Sequence, residues 1–126
     1  MPQLKVLIVD DEVEVAEVLT LRLQRKNMTV FNVADGLSCL TFLKENAVDV
    51  ILLDVKMPNM NGFEVLGKVS ALYPNIAVIM LSGLADPEVS TEALGMGVFS
   101  YELKPVDLES LCNKIEDAVK QKRLEN

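Results

Sequence analysis

The 126-residue sequence predicts an α/β fold, a five-stranded parallel sheet doubly wound by helices, and three observations predict it. Five short apolar runs, at residues 4–9, 28–33, 50–53, 76–81 and 98–103, alternate with stretches whose apolar residues recur at helical spacing. Residues 50–53 are apolar at every position, which suits a central strand covered on both faces and not a strand with one wet face. Four of the runs also end in a polar group: Asp10-Asp11, Asp54, Ser82 and Lys104. Strand and helix alternating over this length imply right-handed crossovers, with helices on both sides of one sheet.

Each element follows from its own residues. The first run, 4–9, is broken only by Lys5 and passes into Asp10-Asp11-Glu12. Over 12–26, Ala16, Leu19 and Leu23 recur at helical spacing, and Val15 and Val18 widen that stripe toward the sheet, until Asn27 ends the helix. After the second strand, Asp35-Gly36 opens a helix with Cys39, Leu40 and Leu43 inward, closed by Asn46. The third strand delivers Asp54. Met57-Pro58-Asn59 and Asn61-Gly62 then carry turn chemistry, because proline restricts φ and glycine permits positive φ. Phe63, Leu66 and Val69 form the next helical stripe, broken at Tyr73-Pro74-Asn75. Beyond the fourth strand, Asp86 before Pro87 is a helix start and Gly95 or Gly97 a stop. The fifth strand meets Lys104-Pro105, and a last helix, capped by Asp107, carries Leu108, Leu111, Cys112, Ile115, Ala118 and Val119 on one face. Residues 120–126 are charged and are expected to be a frayed tail or a linker.

The length suits one domain over residues 1–126. Half the residues are hydrophobic and a quarter charged, which excludes a disordered or fibrous chain. No apolar run approaches the ~20 residues of a membrane span, and the first residues lack a signal peptide's basic and apolar regions, so no membrane partner and a cytoplasmic location are expected. Cys39 and Cys112 each sit in an apolar helical pattern and read as buried small hydrophobes. A formal charge of −7 opposes direct nucleic acid binding. With no histidine in the chain, a histidine-dependent triad, a His-ligated metal site and a histidine phosphodonor are excluded within it; such a group must come from a partner.

In a parallel sheet all carboxyl ends lie on one edge, so Asp10, Asp11, Asp54, Ser82 and Lys104 converge. Carboxylates held together raise each other's pKa unless a cation intervenes. An all-oxygen acid cluster without His or thiolate suits Mg2+, with Mn2+ as a substitute, and zinc fits poorly. A carboxylate beside a divalent ion, a lysine and a hydroxyl is suited to accept a phosphoryl group, and Asp54 is the nucleophile of choice. Taken singly, each residue has a plainer role: Asp10 a helix cap, Asp11 a dipole partner, Ser82 a turn residue, Lys104 a solvated charge, Tyr101 a half-buried aromatic. Met57, Met60, Met80 and Met96 read as packing residues and not as a soft-metal set.

The ordered set Asp10-Asp11, Asp54 with Met57-Pro58 and Gly62, Ser82, and Lys104-Pro105 resembles the receiver domain of bacterial two-component response regulators over the whole chain. The resemblance implies strand order 2-1-3-4-5. It implies phosphorylation at Asp54, direct Mg2+ ligation by Asp11, Asp54 and the Lys56 backbone carbonyl, and assistance from Asp10 through water. It further implies that Ser82 and Lys104 contact the phosphoryl group and that Ser82 and Tyr101 act as the switch; receivers often have a cis bond before the proline after the lysine, which leaves the isomer of Lys104-Pro105 open. The implied partners are a sensor histidine kinase or histidine phosphotransfer protein, and a downstream protein at the face made by helix four, strand five and helix five, with a phosphorylation-dependent homodimer as a competing outcome. The chain itself would be a phosphoacceptor and not an enzyme in the ordinary sense. Asn61, Gly83 and Val98 depart from the commonest receiver residues, and none belongs to the phosphorylation set. Lys56 and Leu84, two residues beyond Asp54 and Ser82, would flank the phosphoryl group and tune how fast water attacks it.

Two rival readings are a haloacid-type phosphatase and a phosphate-independent pseudo-receiver. The first expects a second acid two residues after the nucleophile, where this chain has Lys56, and the intact acid set argues against the second. The residues name neither the kinase nor the output, and they leave open a stand-alone regulator or a receiver from a larger protein.

Overall fold

The computed structural model describes residues 3–57 and 60–125, so the expected turn at Pro58-Asn59 lies outside the described residues. Five strands, β1 (Lys5–Val9), β2 (Thr29–Val33), β3 (Val50–Asp54), β4 (Ala77–Ser82) and β5 (Ser100–Leu103), form one sheet in the order β2-β1-β3-β4-β5. Every pairing is parallel. They alternate with α1 (Val13–Gln24), α2 (Gly36–Glu45), α3 (Gly62–Leu72), α4 (Pro87–Gly95) and α5 (Leu108–Glu125).

The sheet divides the core in two, because successive strand side chains point to opposite faces. Val6, Ile8, Val50, Leu52 and Ile79 pack with Ala16 and Leu23 of α1 and with Leu111 and Ile115 of α5. Leu7, Val9, Ile51, Leu53 and Met80 pack with Cys39 and Leu43 of α2, Leu66 of α3 and Ala93 of α4. This is why β3 needs no polar position before its last residue: both of its faces are covered.

The helix starts use local side-chain acceptors. Asp35 accepts from the Ser38 N–H at 2.7 Å, Asn61 from Glu64 at 3.0 Å, Asp86 from Glu88 at 2.9 Å and Asp107 from Ser110 at 2.9 Å, each satisfying a donor that has no partner inside its helix. α4 stops at Gly95, and Gly97 takes φ +98°, a conformation open to glycine. The Lys104-Pro105 bond is cis.

Two expectations are corrected. Val15 and Val18 do not widen the stripe toward the sheet: they are 43% and 51% exposed, and they line a groove of about 590 Å3 with Leu19, Arg22, Pro105 and Val106. α1 covers the sheet with Ala16 and Leu23 alone buried, so its flanking valines turn outward. The expected fraying after residue 120 is also absent up to Glu125. Lys120, Gln121, Lys122, Arg123 and Leu124 are all strong helix formers, and the Arg123 guanidinium lies 3.7 Å from Asp49 beneath β3.

Candidate phosphoacceptor site

Strand register assembles the site. Val9 lies opposite Leu53, so Asp10, the next residue, stands beside Asp54. Asp54 lies opposite Leu81, which sets Ser82 one position further, and Ser82 lies opposite Leu103, which puts Lys104 just past it. The Lys104 N–H donates to the Ser82 carbonyl at 2.9 Å, extending that ladder by one bond. Gly62 locks the rear of the site: its N–H donates to the Val55 carbonyl at 2.8 Å, and a Cβ there would collide with the Asp54 carbonyl oxygen.

Asp10, Asp54 and Ser82 are the buried polar side chains among the described residues, and all three lie at this edge. Lys104 Nζ is 2.7 Å from Asp10 Oδ2, 3.1 Å from Glu12 Oε1 and 3.7 Å from Asp54 Oδ1. Asp10 is engaged at both oxygens, since its Oδ1 accepts from the Glu12 N–H at 2.9 Å. Burial pushes the Asp54 carboxyl up to about 6 from its ordinary 3.8; the Lys104 charge pulls it back, while Asp10 and Asp11 push it further up. For Lys104, burial alone favours the neutral amine, but the hydrogen bond to Asp10, the charge of Asp54 and the bond to Glu12 hold it above its ordinary 10.5.

Asp11, Glu12, Asp54, Lys56, Ser82, Gly83 and Leu84 line the cleft at the end of β3, about 390 Å3. Asp11 makes no hydrogen bond or ion pair among the described residues. Glu12 is the residue that sequence reasoning missed. Its carboxylate, with those of Asp10 and Asp54, forms a group whose oxygens lie within 4.8 Å of one another, and Asp11 lies outside that group. The signal was present as the third acid of Asp10-Asp11-Glu12. This donor set fits the implied ion: carboxylates, with neither histidine nor thiolate, suit a hard divalent cation.

Ser82 and Tyr101, the expected switch residues, meet at Leu84. Ser82 Oγ accepts from the Leu84 N–H at 3.0 Å, and Tyr101 Oη donates to the Leu84 carbonyl at 2.7 Å. The residue after the loop's glycine is thus gripped at both backbone polar atoms, one grip from β4 and one from β5.

Comparison with known proteins gives one answer. A family model described as a response regulator receiver domain matches residues 6–116. Sporulation initiation phosphotransferase F of Bacillus subtilis is 31% identical over 117 residues, covering 93% of this chain and 91% of that protein. The transcriptional regulatory protein ZraR of Klebsiella oxytoca is 29% identical over 97% of this chain, yet the chain spans only 28% of its length. Among solved structures, a CheY-like receiver domain protein from Methanospirillum hungatei superposes with a TM-score of 0.91 at 29% identity, covering 98% of this chain and 99% of that one.

Proposed function

The chain belongs to the response regulator receiver family, a phosphoacceptor signalling module and not an enzyme in the ordinary sense, and from that premise we propose that Asp54 takes the phosphoryl group. The observation that carries the reading is the placement of one buried carboxylate at the end of the central strand, with Lys104 Nζ 3.7 Å from its oxygen and two further acids beside it. A receiver implies a kinase or phosphotransfer partner. With no histidine in this chain, the donor is a phosphohistidine on a sensor histidine kinase or a histidine phosphotransfer protein.

Chemistry at the site follows from its charges. An Asp54 carboxylate oxygen forms the new P–O bond as the donor's P–N bond breaks, and the imidazole departs with the bonding pair. Lys104 and Ser82 hold the phosphoryl oxygens. Asp11 and Asp54 with the Lys56 carbonyl would hold Mg2+ or Mn2+ directly, and Asp10 would assist through water. Support for that division is that Asp10 is occupied at both oxygens by Lys104 and the Glu12 N–H, whereas Asp11 lines the cleft unpaired among the described residues. Once bound, the ion would offset negative charge on the transferring group.

The groove between α1 and the Pro105-Val106 segment shares Glu12 and Gly83 with the acceptor cleft, which suits it to seat the donor protein beside Asp54. For output, Ser82 turns to a phosphoryl oxygen, gives up the Leu84 N–H and loosens the Tyr101 grip on the same residue. The face of α4, β5 and α5 then binds a downstream protein, with a phosphorylation-dependent homodimer as the competing outcome. The same reading takes residues 1–126 as one receiver domain whose last helix leads to a linker wherever a further module follows. It places the chain in the cytoplasm, without direct nucleic acid binding. No helix among the described residues is long and apolar enough to cross a membrane.

Incubation with Mg2+ and acetyl phosphate, followed by intact-mass analysis, tests the assignment. Wild type should gain one phosphoryl group and Asp54→Asn none. Equal labelling of the two proteins would remove Asp54 from the role.

A further inference from the structure

The Lys104 ammonium has three N–H donors, and two of them are spent away from the acceptor, on Asp10 at 2.7 Å and Glu12 at 3.1 Å. At 3.7 Å from Asp54 the lysine interacts through charge without a hydrogen bond. The two acids that hold it differ in kind. Asp10 is buried, pinned from behind by the Glu12 N–H, and cannot withdraw. Glu12 has its backbone fixed at the start of α1, but its side chain is 58% exposed and reaches over the lysine from the solvent side.

We propose that Glu12 is a positioning residue that tethers Lys104 on the acid-pair side of the pocket, so that an oxyanion on Asp54 must win the ammonium from it. The inference rests on the reading of Asp54 as the phosphoryl acceptor. It adds a residue that acts through Lys104 and sets how tightly the phosphoryl-like state is held. Once a phosphoryl oxygen is present, Lys104 gives up the exposed Glu12 carboxylate and keeps the buried Asp10. An exposed ion pair of this kind is weak, so the tether shifts the balance without blocking the lysine.

Beryllofluoride, a stand-in for the phosphoryl group on a carboxylate, gives the test, with binding followed by amide chemical shifts at saturating Mg2+ so that any change in metal affinity drops out. Glu12→Gln should bind beryllofluoride about two- to fivefold more tightly than wild type, the range set by a weak exposed ion pair. In a Lys104→Gln background the same change should have no effect, because the tethered group is gone. If Lys104→Gln does not fold, Glu12→Asp takes its place. One methylene shorter, it keeps the charge but loses the reach, and it should bind more tightly than wild type, as Glu12→Gln does. Unchanged or weaker binding by Glu12→Gln, an equal gain without Lys104, or Glu12→Asp behaving like wild type would overturn the tether. Failure of wild type itself to bind beryllofluoride would overturn the acceptor reading beneath it.

Discussion

Replacing Asp54 by asparagine should stabilise the metal-free protein at neutral pH, although it removes the proposed phosphoryl acceptor. Asp54 titrates near 3.8 in the unfolded chain and at about 6 in the folded one, chiefly because burial disfavours its charge. Between those values the native state keeps a proton that the unfolded state has released. The group's contribution to stability is therefore fully present below the unfolded value and is lost as pH rises through about 6. Each pH unit of that gap corresponds to ~1.4 kcal/mol, so the ionised carboxylate costs the fold on the order of 3 kcal/mol at pH 7.5. Asparagine has the same shape and no charge. It forfeits the 3.7 Å charge attraction to Lys104, whose hydrogen bond to Asp10 remains. The net gain should be about 1–3 kcal/mol, which for a domain of this size is a rise in Tm of roughly 3–10 °C. Urea unfolding of both proteins in EDTA at pH 4, 5.5 and 7.5 measures it: the gap should be near zero at pH 4 and widest at pH 7.5. Added Mg2+ should narrow it, because the ion binds the ionised wild-type site more strongly. A wild type as stable as Asp54→Asn at pH 7.5 without metal would refute the buried-charge argument.

Three further outcomes are expected. Gly62→Ala should destabilise by about 2–3 kcal/mol in urea and slow labelling by acetyl phosphate, since its Cβ would meet the backbone of Asp54 and Val55, which cannot yield as a side chain could; unaltered unfolding would contradict this. In metal titrations Asp11→Asn should lose more Mg2+ affinity than Asp10→Asn, and the reverse order would move direct ligation to Asp10. Tyr101→Phe removes the 2.7 Å bond to the Leu84 carbonyl and should cost about 1 kcal/mol. It should also speed amide exchange at residues 83–85, and unchanged exchange there would mean that the tyrosine does not restrain that loop.

Local chemistry made the frame readable. Asp35, Asp86 and Asp107 act within three residues of themselves, and the all-apolar β3 needs only the knowledge that parallel strands are covered on both faces. The convergence of Asp10, Asp54, Ser82 and Lys104 was readable for a topological reason, since a parallel sheet sends every carboxyl end to one edge. What the residues withheld depends on distance in space. The contact of Glu12 with Lys104 spans 92 positions, and nothing in a run of three acids says which will reach a lysine that far away. The outward turn of Val15 and Val18 is of the same kind: a helical stripe shows that a face is apolar, but not whether sheet or groove lies against it. Residues 120–125 misled by their charge, although their helix propensity pointed to the helix that forms.

The path of α5 has a practical consequence for anyone attaching a reporter to this molecule. The helix begins four residues after Lys104, runs ~27 Å by helical rise, and ends with Arg123 against Asp49, at the foot of the strand whose head is Asp54. A fluorophore or capture handle placed near Glu125 would sit at the opposite rim of the sheet from the cleft, too far to shield the phosphodonor's approach. It would still be rigidly coupled to α5, one of the three elements of the proposed output face, so immobilisation there would leave the cleft open while the reporter rides on that face.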